Sequence, residues 1–107
     1  MGTVKQAPIT INTDTVYGVS TTATQVLTST RSRKTLSIQN INTEKVYVRF
    51  GEAPAMGGSK YFSYILSPAS GSEEGDGGVL ALDDYNGSVW VATASGTSTI
   101  IVTDFIG

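Results

Sequence analysis

Residues 79–105 read VLALDDYNGSVWVATASGTSTIIVTDF. Three apolar runs in this stretch alternate at the two-residue period of a strand. Two turn signals separate them. Asn86-Gly87 is the dipeptide favoured in short hairpins, because a type I′ turn needs positive φ at both central residues. Ser95-Gly96 supplies the second turn. With two-residue turns, Leu82 faces Val91, Leu80 faces Thr93, Val91 faces Ile100 and Val89 faces Val102. Leu80, Leu82, Val89, Val91, Ile100 and Val102 then share one sheet face. A one-residue slip would turn a whole strand's apolar set outward. The sequence therefore predicts a three-stranded meander with hairpins at Asn86-Gly87 and Ser95-Gly96. Tyr85, Trp90, Ile101 and Phe105 fall on the opposite face, with Trp90 beside Ile101.

The same reading extends toward the N-terminus. Residues 34–40 alternate, with Leu36 and Ile38 on one side and Thr35, Ser37 and Gln39 on the other. Val46, Val48 and Phe50 alternate with Tyr47 and Arg49, and Gly51 ends that strand. Residues 23–28 and 60–66 are further strand candidates. Pro54 and Gly57-Gly58 mark a loop between strands. Residues 69–78 (ASGSEEGDGG) carry no apolar side chain larger than alanine, which predicts a mobile surface loop. Residues 1–20 are poor in apolar side chains. They read either as an arm that adds a strand to a neighbour or as a first strand and loop of the same domain. The division adopted is an N-terminal arm at 1–20 and a β-sandwich domain at 21–107. The expected fold is all-β: an antiparallel β-sandwich or jelly-roll-like barrel of seven to eight short strands.

Composition excludes several function classes. The chain has 107 residues, no cysteine, no histidine and a net charge of −2. One domain of this length buries enough surface to fold without metal or disulfide. Without histidine, the commonest general base, metal ligand and pH switch are all missing. Arg31, Ser32, Arg33 and Lys34 form a basic turn, not the basic stripe that nucleic-acid binding needs, so no nucleic-acid partner is expected. No run of about eighteen apolar residues is present, so no membrane partner is expected either. Residues 1–10 hold no apolar segment of the kind a secretory signal requires.

The remaining candidates for chemistry are weak. Glu73, Glu74 and Asp76 sit in a Gly/Ser loop. Hydrolytic carboxylates need fixed separation on rigid walls, while clustered oxygens suit calcium better; the spacing does not match an EF-hand. Asp83-Asp84 is explained by turn chemistry. The glycine pairs lack the lysine and helix start of a phosphate-binding loop. The sequence reads as a non-enzyme with no catalytic residue, no metal site and no cofactor. Tyr47, Tyr61, Tyr85 and Trp90 are candidates for an interaction surface, since aromatic rings with a polar handle are favoured there.

Residues 31–104 resemble small β-sandwich virion proteins of tailed bacteriophages. The likeness rests on RKTLSIQNINTEKVYVRFGEAP at 33–54, with strands ending in Gln39-Asn40 and Phe50-Gly51, and on the Thr-rich terminal stretch 93–103. It implies a capsid decoration or cement protein on the outside of the virion, often a homotrimer, with the major capsid protein as partner. The partner-binding residues expected on that basis are Trp90, Ile101, Tyr85, Ile9, Ile11, Arg31 and Arg33. The alternative is a host-adhesion or carbohydrate-binding module of a head fibre, neck or tail.

Overall fold

The computed structural model describes residues 11–56 and 61–106, the side chains of residues 11 and 12 excepted. Eight strands follow one another: β1 (Ile11–Val19), β2 (Thr24–Leu27), β3 (Arg33–Asn40), β4 (Val46–Phe50), β5 (Tyr64–Leu66), β6 (Val79–Asp83), β7 (Val89–Ala92) and β8 (Ser98–Ile106). They form two four-stranded sheets, sheet A in the order β1-β8-β3-β6 and sheet B in the order β2-β7-β4-β5. All pairings are antiparallel. β1 pairs with β8, β2 with β7, β3 with β6 and β4 with β5. The first four strands thus run against the last four as one long hairpin, folded over into a sandwich and closed by the β3–β8 and β4–β7 ladders. This is jelly-roll topology, and the predicted all-β sandwich is present.

The core confirms the alternation read from the sequence. Leu36, Ile38, Val46, Val48, Leu80, Val89, Val91, Ile100 and Val102 are buried, joined by Val19, Val26, Leu27 and Leu66; Phe50 and Leu82 are half-buried against them. Each strand presents its apolar set to the facing sheet, as period-two patterning requires.

The meander is corrected. β6 pairs with β3, β7 lies between β2 and β4, and β8 lies between β1 and β3. Residues 84–88 and 93–97 lead from one sheet to the other and close no hairpin. Apolar residues look inward whether their strands are neighbours in one sheet or face each other across the core. The shared face was real, but it did not identify the pairing. Asn86 and Gly87 also lack the positive φ of a type I′ turn; Asp84 (φ 60°) adopts it instead. Gly96 does take positive φ (68°), and the buried Thr93 hydroxyl donates to its carbonyl at 2.7 Å.

Residues 11–19, which the sequence reading grouped with 1–10, form strand β1 of sheet A. Residues 11–19 pair with β8 along their whole length, from Ile11 opposite Ile106 to Val19 opposite Ser98. They are poor in apolar side chains because β1 is an edge strand with one wet face. Tyr17 and Val19 reach the core, while Val16 is exposed. Residues 1–10 lie outside the described residues.

Two buried polar side chains tie off the ends of β3. Arg33 donates through Nε to Asp104 Oδ1 (2.8 Å), through Nη1 to the Gly87 carbonyl (2.8 Å) and through Nη2 to the Thr28 carbonyl (2.7 Å). At the other end Asn40 is fully buried. Its Nδ2 donates to the Glu44 carbonyl at 2.7 Å, with longer contacts to Leu66 and Ser67. Its Oδ1 accepts from the Ser98 hydroxyl at 2.8 Å and the Asn42 amide at 3.2 Å. A buried amide or guanidinium is tolerated only when its partners are present. These two fix the loops at both ends of the sandwich.

Candidate functional site

The structure offers surfaces to a partner, and these grow directly from strand alternation. On β4 and β7, Val46, Val48, Val89 and Val91 point inward, so Tyr47, Arg49 and Trp90 point outward. Register places Arg49 opposite Trp90 and Tyr47 opposite Ile65; Gln25 of β2 flanks Trp90 on its other side. The Tyr47 ring meets Phe62 edge-on at 5.1 Å. The Arg49 guanidinium lies 5.9 Å from the centre of the Tyr61 ring and pairs with Glu52. The outer face of sheet B therefore carries an aromatic strip, Trp90, Tyr47, Phe62 and Tyr61, with one cation among the rings. Tyr61 and Phe62, with Tyr64 and Ile65 of edge strand β5, are among the exposed large apolar side chains.

Sheet A presents a different surface. Its outer face is mostly hydroxyl-bearing, with Thr35, Ser37, Thr99 and Thr103. One cross-strand row crosses the whole sheet: Val16 opposite Ile101, Ile101 opposite Gln39, and Gln39 opposite Val79. The two ends of this row are exposed, Val16 at 64 % and Val79 at 56 %. They sit on the two edge strands of the sheet, β1 and β6. An edge strand has backbone groups with no partner on one side.

The residues singled out from the sequence are scattered by this topology. Trp90 is on sheet B and Ile101 on sheet A, so the two stand on opposite outer faces and not side by side. Tyr85 packs on the core with its ring 5.0 Å from Phe50, and its hydroxyl donates to the Ser88 carbonyl at 2.8 Å. Arg33 is sequestered inside the sandwich; Arg31 is exposed. Ile9 and the Ile11 side chain fall outside the described residues. Tyr47 and Tyr61 were legible as candidates, but Phe62 and Ile65 were read only as parts of a strand. Their exposure follows from β5 being an edge of three residues, a length the sequence did not reveal.

The acidic segment is better anchored than its composition suggests. Ala69 and Glu73 amides donate to the Asn42 and Ile41 carbonyls at 2.8 Å and 2.6 Å, and Gln39 Nε2 donates to the Gly75 carbonyl at 3.2 Å. Asp76 accepts from the Ser70 amide at 3.0 Å, which holds its carboxyl below the ordinary value. No group of three or more acidic side chains able to hold a metal occurs among the described residues. Shallow clefts among the described residues include one of about 260 Å³ between Thr43, Lys45, Tyr47 and Pro68 and one of about 420 Å³ between Thr30, Arg31 and Asn86. Neither holds a nucleophile paired with a base. What the described residues form is an all-β domain.

No helix among the described residues is long and apolar enough to cross a membrane. No family model and no curated protein matches the sequence. Among solved structures, the protein is similar to one from Bacillus endospore appendages, described as a novel family of disulfide-linked pili. The TM-score is 0.51 at 11 % identity, covering 99 % of this chain and 96 % of that one. At that identity the likeness is one of fold. The capsid and decoration-protein expectation is corrected to that extent: the structural match is a bacterial spore-appendage pilus protein and not a bacteriophage capsid or decoration protein.

Proposed function

We propose that this protein is a structural subunit that joins copies of itself through its sheet edges into an extended surface appendage. The observation that carries the reading is the row Val16–Ile101–Gln39–Val79, which ends in an exposed valine on each edge strand of sheet A. Placing β6 of one copy against β1 of the next satisfies both open edges by strand addition. Such a contact is head-to-tail, and a head-to-tail contact whose rotation does not close gives a filament. The similarity in fold to a pilus protein supports the same class. The two differ in chemistry, because this protein has no cysteine and its copies associate without disulfides. Sedimentation of the purified protein over a concentration series tests the proposal. Larger species growing with concentration, unchanged by reductant, are expected; a monomer at every concentration contradicts it.

A second reading concerns the outer face of sheet B. Trp90, Tyr47, Phe62 and Tyr61 beside Arg49 form the kind of aromatic surface on which sugar rings stack, which fits an adhesive role for the same appendage. Glycan-array binding that is lost in Trp90→Ala, with the fold retained, is the expected result. Equal binding by wild type and variant removes this reading and leaves the assembly proposal standing.

A further inference from the structure

Asn86-Gly87, expected from the sequence to close a hairpin, closes none in the structure and has no part in the proposed assembly. Asn86 is exposed in the crossing from β6 to β7, and Gly87 is half-buried behind it. The Asn86 carboxamide makes no hydrogen bond among the described residues, and neither does the Gly87 backbone N–H. The carbonyls of the pair, by contrast, are both in use. Asn86 O accepts from the Thr30 amide at 2.8 Å, and Gly87 O accepts from Arg33 Nη1 at 2.8 Å. A Cβ at position 87 would lie 2.5 Å from the Tyr85 hydroxyl, so any other residue there has to displace the Tyr85 ring. The fold therefore keeps an unhindered glycine directly after an untethered asparagine.

We propose that Asn86-Gly87 is a self-modification site. Solvent base removes the Gly87 amide proton, and that nitrogen attacks Cγ of Asn86. The new N–C bond closes a succinimide ring, the bond between Cγ and Nδ2 breaks, and Nδ2 leaves as ammonia. Water then adds to one of the two ring carbonyls, the bond from that carbon to the Gly87 nitrogen breaks, and the nitrogen regains a proton from water. Addition at Cγ restores the backbone with aspartate at position 86; addition at the backbone carbonyl carbon gives isoaspartate, whose backbone is longer by one carbon. Both outcomes add a negative charge to a protein whose net charge is −2. Only isoaspartate displaces the Gly87 carbonyl relative to Asn86, and that carbonyl is one of three acceptors holding the buried Arg33. The other asparagines lack this combination. Asn12, Asn40 and Asn42 precede Thr13, Ile41 and Thr43, whose branched side chains crowd the attacking nitrogen, and the carboxamides of Asn40 and Asn42 are hydrogen-bonded.

The test is peptide mapping of the full-length protein after incubation in mildly alkaline buffer, with isoaspartate detected by enzymatic methyl transfer. The expected result is loss of the amide at Asn86 while Asn40 and Asn42 retain theirs, and no isoaspartate in the peptide spanning residue 86 of Asn86→Gln, the peptide with Asp76-Gly77 being scored separately. The isoaspartyl form is expected to unfold at lower denaturant than Asn86→Asp, which adds the charge without the extra carbon. Conversion at Asn86 no faster than at Asn42 overturns the proposal. So does conversion that occurs only after the protein is unfolded. Equal denaturation midpoints for the isoaspartyl form and Asn86→Asp overturn the link to Arg33.

Discussion

Arg33 Nε donates to Asp104 Oδ1 at 2.8 Å from β3 to β8, with the arginine side chain 1 % exposed and the aspartate side chain 16 % exposed. The guanidinium also satisfies two loop carbonyls, so one side chain joins both sheets' connections at that end of the sandwich. Removing one partner of a buried pair leaves the other without compensation. Arg33→Ala is expected to cost about 3–5 kcal/mol in urea unfolding. The neighbouring Lys34→Ala, at an exposed position, stays within roughly 0.5 kcal/mol of wild type. Similar losses for the two variants contradict the described network.

Val91 is fully buried on β7. Val91→Ala is expected to cost roughly 1–3 kcal/mol, from lost apolar transfer and the cavity left behind. Gly87→Val acts by a different route. Its backbone does not require positive φ; the obstacle is the Tyr85 ring and hydroxyl, 2.5–3.2 Å from an added Cβ. Overpacking of this kind costs about 1–3 kcal/mol. The double variant Gly87→Val with Tyr85→Ala separates the two causes: partial recovery of the Gly87→Val loss is expected, and no recovery points to backbone strain.

The Ser70–Asp76 contact sets the pH behaviour of the acidic loop. The hydrogen bond from the Ser70 amide favours the carboxylate and lowers the folded-state pKa of Asp76. Its contribution is present above the unfolded carboxyl range and is lost as pH falls through the lowered folded value. Protection of the Ser70 amide against hydrogen exchange is expected to fall on acidification in wild type and to be low at all pH values in Asp76→Ala, which removes the acceptor. Calcium is expected to leave the melting temperature unchanged, since a ligand bound only by the native state would raise it.

Much of this fold was legible in the sequence. Period-two alternation placed Leu36, Ile38, Val46, Val48, Val89, Val91, Ile100 and Val102 inside, because burial on one face imposes that pattern whatever the strand order. The order itself was not legible. Asn86-Gly87 and Ser95-Gly96 announce turns, but a turn does not state whether the next strand returns beside its predecessor or crosses to the other sheet. Arg33 and Asn40 were hidden for a related reason. A charged or amide side chain at a strand end looks like surface until loops distant in sequence, at Gly87, Glu44 and Leu66, close over it. Phe62 and Val79 show the converse, since their exposure depends on which strands become edges.

The assembly proposal is tested most directly by blocking each edge separately. A lysine on an edge strand opposes strand addition, and both positions are exposed, so Val16→Lys and Val79→Lys are expected to fold as wild type. Each variant alone keeps one open edge and is expected to remain monomeric in sedimentation at concentrations where wild type forms long species. Mixed together, the open β6 edge of Val16→Lys meets the open β1 edge of Val79→Lys. The predicted product is a one-to-one heterodimer that grows no further. Dimers formed by either variant alone, or full-length assemblies in both, would contradict head-to-tail joining of sheet A.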